Sequence, residues 1–248
     1  MTIEIPRPTQ DPEALERVLG ARRVLFVGAH PDDPDAAAAG TVARLVDAGA
    51  RIHYLVVTSG DKGVPKEELI DPRHFIERRE AEQRASAAHL GVEEVVFLRQ
   101  RDGEVFDTLE LREKIVREIR RLQADLVITH DPLTRMLRQH PDHRAVGFAT
   151  LAAVFPSCRI ASFFPEHQAE GLSSLDVHML LLVGGDEPNL WVDIAPTFER
   201  KVEALMLHES QRGAFVGGVR GRMETRARRE GALVGLDLAE AFTWAWLE

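Results

Sequence analysis

The feature that most constrains the fold is a regular alternation of short apolar runs with longer segments of helix-forming residues. The runs rich in aliphatic and β-branched residues, which are predicted strands, lie at 22–30, 50–60, 92–98 and 124–132. The segments between and after them, which are predicted helices, lie at 35–49, 72–90, 108–123 and 143–155. This alternation predicts an α/β fold with a Rossmann-like, mostly parallel sheet that carries helices on both faces.

The alternation loosens after residue 155. Two further strands are predicted at about 177–184 and 189–194, and a helix is predicted at about 196–208. The basic, glycine-rich stretch 213–231 is predicted to form a mobile loop and a helix, either solvated or at a subunit contact. Nucleic-acid binding by this stretch is disfavoured because no aromatic residues are interleaved with its arginines.

Aromatic residues near the C-terminus, Phe242, Trp244 and Trp246, alternate as in a strand with one buried face. We expect this strand at an edge of the sheet or at an interface between subunits. No linker rich in Gly, Ser or Pro divides the chain. We therefore expect a single domain over all 248 residues, with a core at about 22–211 and a C-terminal extension at about 212–248.

Composition limits the compartment and the partners. Hydrophobic residues make up 44% of the chain, enough for a sizeable core, and the net charge of −9 argues against nucleic acid as a partner. The single cysteine, Cys158, cannot form an intrachain disulfide, which suits a reducing compartment. We see no signal-peptide pattern and no run near the roughly 20 apolar residues that span a bilayer. A cytoplasmic protein with no membrane partner is expected.

Two clusters of histidine and aspartate follow predicted strands. The sequence HPDD, from His30 to Asp33, ends the first strand, and HPDH, from His140 to His143, lies after the fourth. In open α/β sheets, ligands bind outside the carboxyl ends of the strands, where the strand order reverses. In the common order 3-2-1-4 the first and fourth strands are neighbours at that point. We therefore expect both clusters at one crevice.

The residue types of the two clusters fit metal-assisted hydrolysis of a carbonyl compound. Three protein ligands, with a fourth position left to water, are typical of catalytic zinc, and His30, Asp33 and His143 can supply them. Asp32 is then a carboxylate beside the metal-bound water, as a general base must be. His140 can stabilise a developing oxyanion. A plain surface turn in which an aspartate caps the next helix is the alternative, but it does not account for two clusters.

Neighbouring polar residues have two interpretations each. His130, at the end of the fourth strand, either orients a metal ligand or satisfies its own loop. Asp142 either orients His140 by a hydrogen bond or caps the helix that follows. Arg138 either contacts an anionic group of the substrate or is a solvated loop residue.

The motifs, taken in order, resemble the LmbE-like, or PIG-L, family of zinc-dependent N-deacetylases over residues 22–211. The resemblance is carried by VGAHPDD, TSGDKG, RREAEQRASAAHLGV, RDGEVFD, LVITHDP and HPDHRAVG. It implies a Rossmann-like fold and removal of an N-acyl group, expected to be acetyl, from an amino-sugar or glycoside-like small molecule. Some thiol-biosynthesis members of the family carry a tyrosine at the position of Arg138, so a tyrosine-assisted step is not expected here.

The resemblance implies the same roles for the cluster residues. One Zn²⁺ per chain is expected on His30, Asp33 and His143, with Asp32 as general base and His140 polarising the carbonyl group. Fe²⁺ or another divalent ion can occupy the same ligands.

The resemblance also implies that Arg79 and Asp102 lie near the substrate. The alternative for Arg79 is an ion pair with Glu80 or Glu82 on its own helix. Self-association into a homo-oligomer is expected as well. The competing functions are an amidase for larger thiol–sugar conjugates and a metabolite-binding protein whose metal is not catalytic.

Overall fold

The computed structural model of the chain describes residues 11–65, 71–134 and 139–248. Its strands are β1 Arg23–Gly28, β2 Arg51–Thr58, β3 Glu94–Gln100, β4 Leu126–His130, β5 Met179–Val183, β6 Leu190–Asp193 and β7 Ala239–Trp246. They form one sheet in the order β3-β2-β1-β4-β5-β7-β6. The five strands from β1 to β5 run parallel, and β7 is antiparallel to both of its neighbours.

The helices begin and end where the local sequence supplies caps. They are α1 Pro12–Leu19, α2 Asp33–Asp47, α3 Pro72–Leu90, α4 Leu109–Leu122, α5 Pro141–Ala152, α6 Glu166–Ala169, α7 Phe198–Met206 and α8 Val219–Val234. Asp71 caps α3 by accepting the N–H of Arg73, and Gly91 ends it with a φ of 86°. Thr108 caps α4 by accepting the N–H of Leu111. The helices predicted at 35–49, 72–90 and 108–123 therefore form within two residues of their predicted limits.

Alternate side chains of the central strands enter two separate cores. Val24 and Phe26 of β1 belong to a core that includes residues of α2, α7 and α8, whereas Leu25 and Val27 point into a core with α4 and α5. This alternation follows from the two-residue repeat of a strand. The predicted α/β fold, with a mostly parallel sheet and helices on both faces, is confirmed.

The C-terminal strand differs from its predicted position. β7 lies inside the sheet, between β5 and β6, rather than at an edge. Phe242 is buried there, and the alternation of buried and exposed positions fades toward Trp246. The extension beyond residue 211 thus supplies a strand to the same sheet as the core. We therefore propose that the chain is a single domain in which this extension is an integral part.

The basic stretch predicted as a mobile loop and helix contains a 16-residue helix, α8. The fifth helix is shorter than predicted: α5 ends at Ala152, and Phe155 has the non-helical values φ −140° and ψ 127°. Helix α1 was not predicted.

The sheet order places the two motifs together. β1 and β4 are parallel neighbours, with Val27 opposite Thr129, so their carboxyl ends lie at the same edge. HPDD follows β1 and begins α2, whereas HPDH follows β4 and begins α5. The predicted 3-2-1-4 order, and with it the crevice between the first and fourth strands, is present.

Candidate metal centre and active-site cavity

Three side chains converge at the crevice between β1 and β4. His30 Nδ1 lies 3.3 Å from Asp33 Oδ2, His143 Nε2 lies 3.2 Å from Asp33 Oδ1, and the two imidazole nitrogens are 3.3 Å apart. The three donor atoms lie within 4.8 Å of one another, close enough to hold one ion. Two imidazoles and a carboxylate form a donor set that suits zinc and other borderline divalent metals. The geometry brings together the three residues predicted as ligands.

The electrostatic field at His30 fits a cation. Burial alone would lower the pKa of His30, but Asp102, Asp142 and Asp33 outweigh it and raise the pKa to about 12. Burial would raise the pKa of Asp33, but His143 and His130 hold it well below its usual range. The carboxylates that favour a proton on the His30 imidazole also favour a divalent cation bound to it.

A second group of donors surrounds the opposite edge of the same imidazole. His30 Nε2 lies 3.1 Å from Asp142 Oδ2 and 3.2 Å from Asp102 Oδ1. The fully buried Asp142 also accepts the backbone N–H groups of Gly103 and Val105. Because its lone pairs are used in this way, Asp142 suits the role of a carboxylate that orients His30 rather than that of a ligand.

The position of Asp142 differs from the predicted one. It was expected to orient His140 or to cap α5, but it bonds to His30, and its Oδ2 lies 3.9 Å from His140 Nδ1, too far for a hydrogen bond. The cap of α5 is His140 itself, whose Nδ1 accepts the backbone N–H of Asp142 at 3.3 Å. Because this bond places the lone pair on Nδ1, the proton of a neutral His140 lies on Nε2.

His140 reaches the open side of the cluster. Its side chain is 41% exposed, and its ring contacts His30 edge to face with centroids 4.5 Å apart. Burial and the neighbouring His30 lower the pKa of His140. His140 is therefore a neutral hydrogen-bond donor at neutral pH. Its Nε2 lies 3.9 Å from Asp102 Oδ1.

His130 connects the β4 end to the ligands. Its Nε2 accepts the N–H of Ala29 at 3.2 Å and lies 3.3 Å from Asp33 Oδ2. Its ring stacks on that of His143, with centroids 3.9 Å apart. Burial and the His143 charge lower the pKa of His130 to about 4, so this imidazole is neutral. His130 thus contacts two of the three cluster residues, as a residue that orients a metal ligand would, and its ring bonds to the residue after β1 rather than to its own loop.

Asp32 is held in an unusual backbone conformation beside the cluster. Its φ is 88°, which costs a residue other than glycine about 1–3 kcal/mol, so the surroundings must hold it there. Gln83 Oε1 accepts the N–H of Asp32 at 2.8 Å, and Arg79 Nη2 lies 3.2 Å from its carboxylate. Burial raises the pKa of Asp32. A carboxylate with a raised pKa that is not itself in the ligand group has the properties of a general base.

Arg79 supports Asp32 rather than facing the cavity. It is 3% exposed, and its guanidinium donates to the Pro31 carbonyl and pairs with Asp32. Gly60 makes room for it, since a Cβ at that position would lie 2.4 Å from Arg79 Nη1.

The predicted alternative for Arg79, an ion pair on its own helix, is wrong. Glu80 pairs with Arg99 at 2.8 Å, and Glu82 pairs with Arg78 at 3.1 Å. The physical reason is that Arg79 lies on the buried side of α3, facing the HPDD turn.

A cavity of about 380 Å³ opens beside the cluster. Asp33, His140 and His143 form one wall, and Arg226 of α8 lies on its lining as well. Neither Arg79 nor Asp102, the two residues predicted to lie near the substrate, lines this cavity. Asp102 instead contacts His30 and accepts the backbone N–H of Lys62.

Arg226 was not predicted as a site residue. Its basic stretch was interpreted as a solvated loop or a subunit contact, and the one available signal was the helical spacing of its arginines. Arg138, considered as a substrate contact, lies outside the described residues. Within the ranges that the structure describes, no helix is long and apolar enough to cross a membrane.

The fold and the cluster together define a metal-dependent hydrolase built on a Rossmann-like sheet, and comparisons with known proteins specify the class. The GlcNAc-PI de-N-acetylase (PIG-L) family matches residues 25–154. The chain is 34% identical over 193 residues to the diacetylchitobiose deacetylase of Thermococcus kodakarensis, covering 77% of this chain and 70% of that protein. The chain belongs to the PIG-L, or LmbE-like, family, as the resemblance predicted.

Further relatives agree with this assignment. A 1D-myo-inositol 2-acetamido-2-deoxy-α-D-glucopyranoside deacetylase of Kineococcus radiotolerans is 30% identical over 171 residues, 57% of this chain and 47% of that protein. The structure of N,N′-diacetylchitobiose deacetylase from Pyrococcus horikoshii superposes with a TM-score of 0.86 at 29% identity, covering 92% of this chain and 85% of that one. The predicted enzyme class, a hydrolase of linear amides and specifically a deacetylase, is confirmed.

Proposed function

We propose that this protein removes the N-acetyl group from an amino-sugar substrate, with one divalent ion held by His30, Asp33 and His143. The observation that carries the proposal is the position of Asp32, a strained carboxylate with a raised pKa directly beside a three-donor cluster. The named relatives support the substrate class, because they act on diacetylchitobiose and on a 2-acetamido-2-deoxyglucoside. We propose Zn²⁺ as the ion because two imidazoles and a carboxylate are a frequent catalytic zinc set.

The residues of this chain have separate tasks in the reaction. When bound, a divalent ion polarises the carbonyl group and lowers the pKa of water toward neutrality. Asp32 accepts a proton from the attacking water as the oxygen adds to the amide carbonyl. His140 donates its Nε2 hydrogen to the oxygen on which negative charge develops. Asp32 then returns the proton to the departing nitrogen as the C–N bond breaks, which leaves acetic acid and the free amine.

Two neighbours prepare Asp32 for this task. The hydrogen bond from the Asp32 N–H to Gln83 fixes the backbone in its left-handed conformation, and Arg79 holds the carboxylate. Burial raises the pKa of Asp32, so the carboxyl is a stronger base than in water and a usable acid after it has taken the proton. Asp32 thereby serves both halves of the reaction.

The test is Asp32→Asn, which keeps the size of the side chain and an oxygen that can accept from Arg79 but removes its basicity. We expect the variant to retain the metal content of the wild type while amine release from N-acetylglucosamine falls by about 10²–10⁴-fold, the usual contribution of a general base. Metal content is measured by elemental analysis, and amine release with a primary-amine reagent. His89→Ala, at an exposed pair with Glu203, is the control and should match the wild type in both. Activity near the wild-type rate in Asp32→Asn would refute the assignment.

We also propose that the chain self-associates. Apolar side chains are exposed in two loops at the carboxyl edge of the sheet, with Phe106 at 72% after β3 and Leu133 at 70% after β4. Single exposed apolar residues are common on monomers, but these two lie at the same edge as the cavity. Sedimentation velocity over a range of concentrations tests the proposal, and a monomer at all concentrations would contradict it.

A further inference from the structure

Arg226 is a cation placed in the lining of the cavity that contains the metal-site residues. Its exposed side chain comes from α8, far in sequence from the HPDD and HPDH motifs. Among the described residues it is the only lysine or arginine in that lining, and Asp33 is the only carboxylate. Asp33 belongs to the donor cluster. Glu230 and Glu240 also lie beside Arg226, but Arg229 binds Glu230 and Lys201 binds Glu240.

Three other arginines of α8, Arg220, Arg228 and Arg229, have carboxylate partners. Arg220 binds Glu199 with one contact of 2.9 Å, and Arg228 binds Asp237 at 2.5 Å. Glu230, one helical turn beyond Arg226, is bound by Arg229 at 2.6 Å.

Within the described ranges, the side chains of Arg222 and Arg226 have no hydrogen bond or ion pair. They lie four residues apart and therefore on one face of the helix. Two guanidinium groups on one face that no carboxylate of the described residues binds form a position that suits an external anion.

The same face borders a second, wider cavity of about 680 Å³. Arg222, Arg226 and Arg229 line it together with Val216 and Gly217. Arg226 lines both cavities. The first cavity lies at the small end of the range for small-molecule sites, about 300–1,000 Å³. A substrate whose acetamide lies at the metal cluster can therefore extend past Arg226 along α8.

We propose that the substrate carries an anionic group, a phosphate or a carboxylate, beyond its N-acetylated sugar, and that Arg226 binds this group. The inference rests on the proposed function, because it takes the cluster as the place where the acetamide is cleaved. The planar fork of an arginine matches either anion with two parallel hydrogen bonds. Arg222, one turn earlier on the same face, adds a second positive charge. On a chain of net charge −9, this local cationic face distinguishes anionic from neutral glycosides.

The experiment compares two substrates that differ in charge at one position, N-acetylglucosamine 1-phosphate and the α-methyl glycoside of N-acetylglucosamine. We expect the metal-loaded wild type to have the higher kcat/KM for the phosphate. In Arg226→Gln, kcat/KM for the phosphate should fall about 10–100-fold, mainly through KM, which corresponds to losing a hydrogen bond to a charged group. The ratio of the two kcat/KM values should fall by nearly the same factor. Arg226→Lys should restore much of the ratio, and high salt should reduce it.

Arg228→Gln is the matched control, because it removes an arginine of the same helix that is already paired with Glu224 and Asp237. It should leave the ratio at the wild-type value. If Arg226→Gln lowers kcat/KM equally for both substrates, the inference is wrong. It is also wrong if the wild type shows no preference for the phosphate. A phosphate preference that does not respond to Arg226→Gln also overturns it, since the anion then binds elsewhere.

A binding measurement separates failure of this inference from failure of the proposed function. Titration calorimetry with N-acetylglucosamine 1-phosphate, on the wild type and on Arg226→Gln, needs no turnover. If the wild type cleaves neither substrate but Arg226→Gln binds the phosphate at least tenfold more weakly, the anion site stands and the proposed function is wrong. If binding is equal in the two proteins, the anion site is wrong whatever the turnover.

Discussion

Replacing Asp142 by asparagine tests how the metal site is supported. Asp142 Oδ2 accepts hydrogen bonds from His30 Nε2 and from the N–H of Gly103, and Oδ1 accepts the N–H of Val105. In the better orientation of an asparagine, the amide oxygen takes the place of Oδ2 and keeps the first two bonds. The amide nitrogen then faces the N–H of Val105, so one backbone donor loses its acceptor, and His30 Nε2 keeps only Asp102 as an anionic partner.

The magnitudes follow from this arrangement. A buried donor without an acceptor costs about 1–3 kcal/mol, so the free energy of unfolding of Asp142→Asn should fall by that amount. Loss of a supporting carboxylate behind a metal-binding histidine lowers metal affinity about 10–100-fold. Because the amide oxygen still orients the His30 ring, we expect the low end, about tenfold or 1.4 kcal/mol. Asp142→Ala leaves the N–H groups of Gly103 and Val105 without their acceptor and leaves His30 only Asp102, so the loss of metal affinity should approach a hundredfold.

The assay is competition for zinc with a chromophoric chelator, together with urea unfolding of the metal-free proteins. Asp125→Asn is the matched control, because Asp125 also accepts two backbone N–H groups, those of Arg22 and Arg23, but at the other end of the sheet. It should lose stability without losing metal affinity. An Asp142→Asn protein that binds zinc as tightly as the wild type would show that the bond to His30 does not support the metal.

Two further predictions concern α3 and the residues packed against it. Gly60→Ala should destabilise the fold by about 1–3 kcal/mol in urea unfolding, because Gly60 has a φ of 62°. It should also lower kcat at least tenfold, because the new methyl group would displace Arg79 from Asp32. A wild-type kcat would contradict the supporting role of Arg79. For Glu80, burial raises the pKa, but Arg99, Ser59 and Arg84 outweigh it and hold the pKa at about 2, below the ordinary value near 4.3. The ionised Glu80 therefore stabilises the fold above about pH 4.3, and this contribution is lost as the pH falls toward 2. Glu80→Gln should lower the free energy of unfolding by about 1–3 kcal/mol at pH 7 and by little near pH 2. A difference in unfolding free energy between the two proteins that did not change with pH over that interval would contradict this prediction.

The parts of the fold that the sequence predicts are those with a local pattern. Each of the first four strand–helix units has its own apolar run and its own helix limits, as Asp71 and Gly91 illustrate for α3. The pairing of β7 has no such signal. Its aromatic alternation predicts a strand, but its place between β5 and β6 depends on contacts across about 50 residues, such as Trp191 opposite Ala241.

The candidate site likewise contains residues that a local sequence pattern predicts and residues that no local pattern predicts. His30, Asp32 and Asp33 occupy one turn, and their types alone predict metal chemistry. The contact of Asp142 with His30 joins residues 112 apart, so no local pattern indicates it. Arg226 is a stronger example, because a basic helix on an acidic chain usually faces solvent. Only the packing of α8 beside the cavity distinguishes Arg226 from Arg228, which is paired with carboxylates on the surface.

Metal content, determined together with amine release from N-acetylglucosamine in the wild type and in His143→Ala, tests whether the three-donor cluster is the catalytic metal site. We expect about one zinc ion per chain in the wild type, and parallel loss of the metal and of amine release in the variant. His89→Ala should retain both. A His143→Ala protein that keeps its metal and its activity would contradict the proposed site.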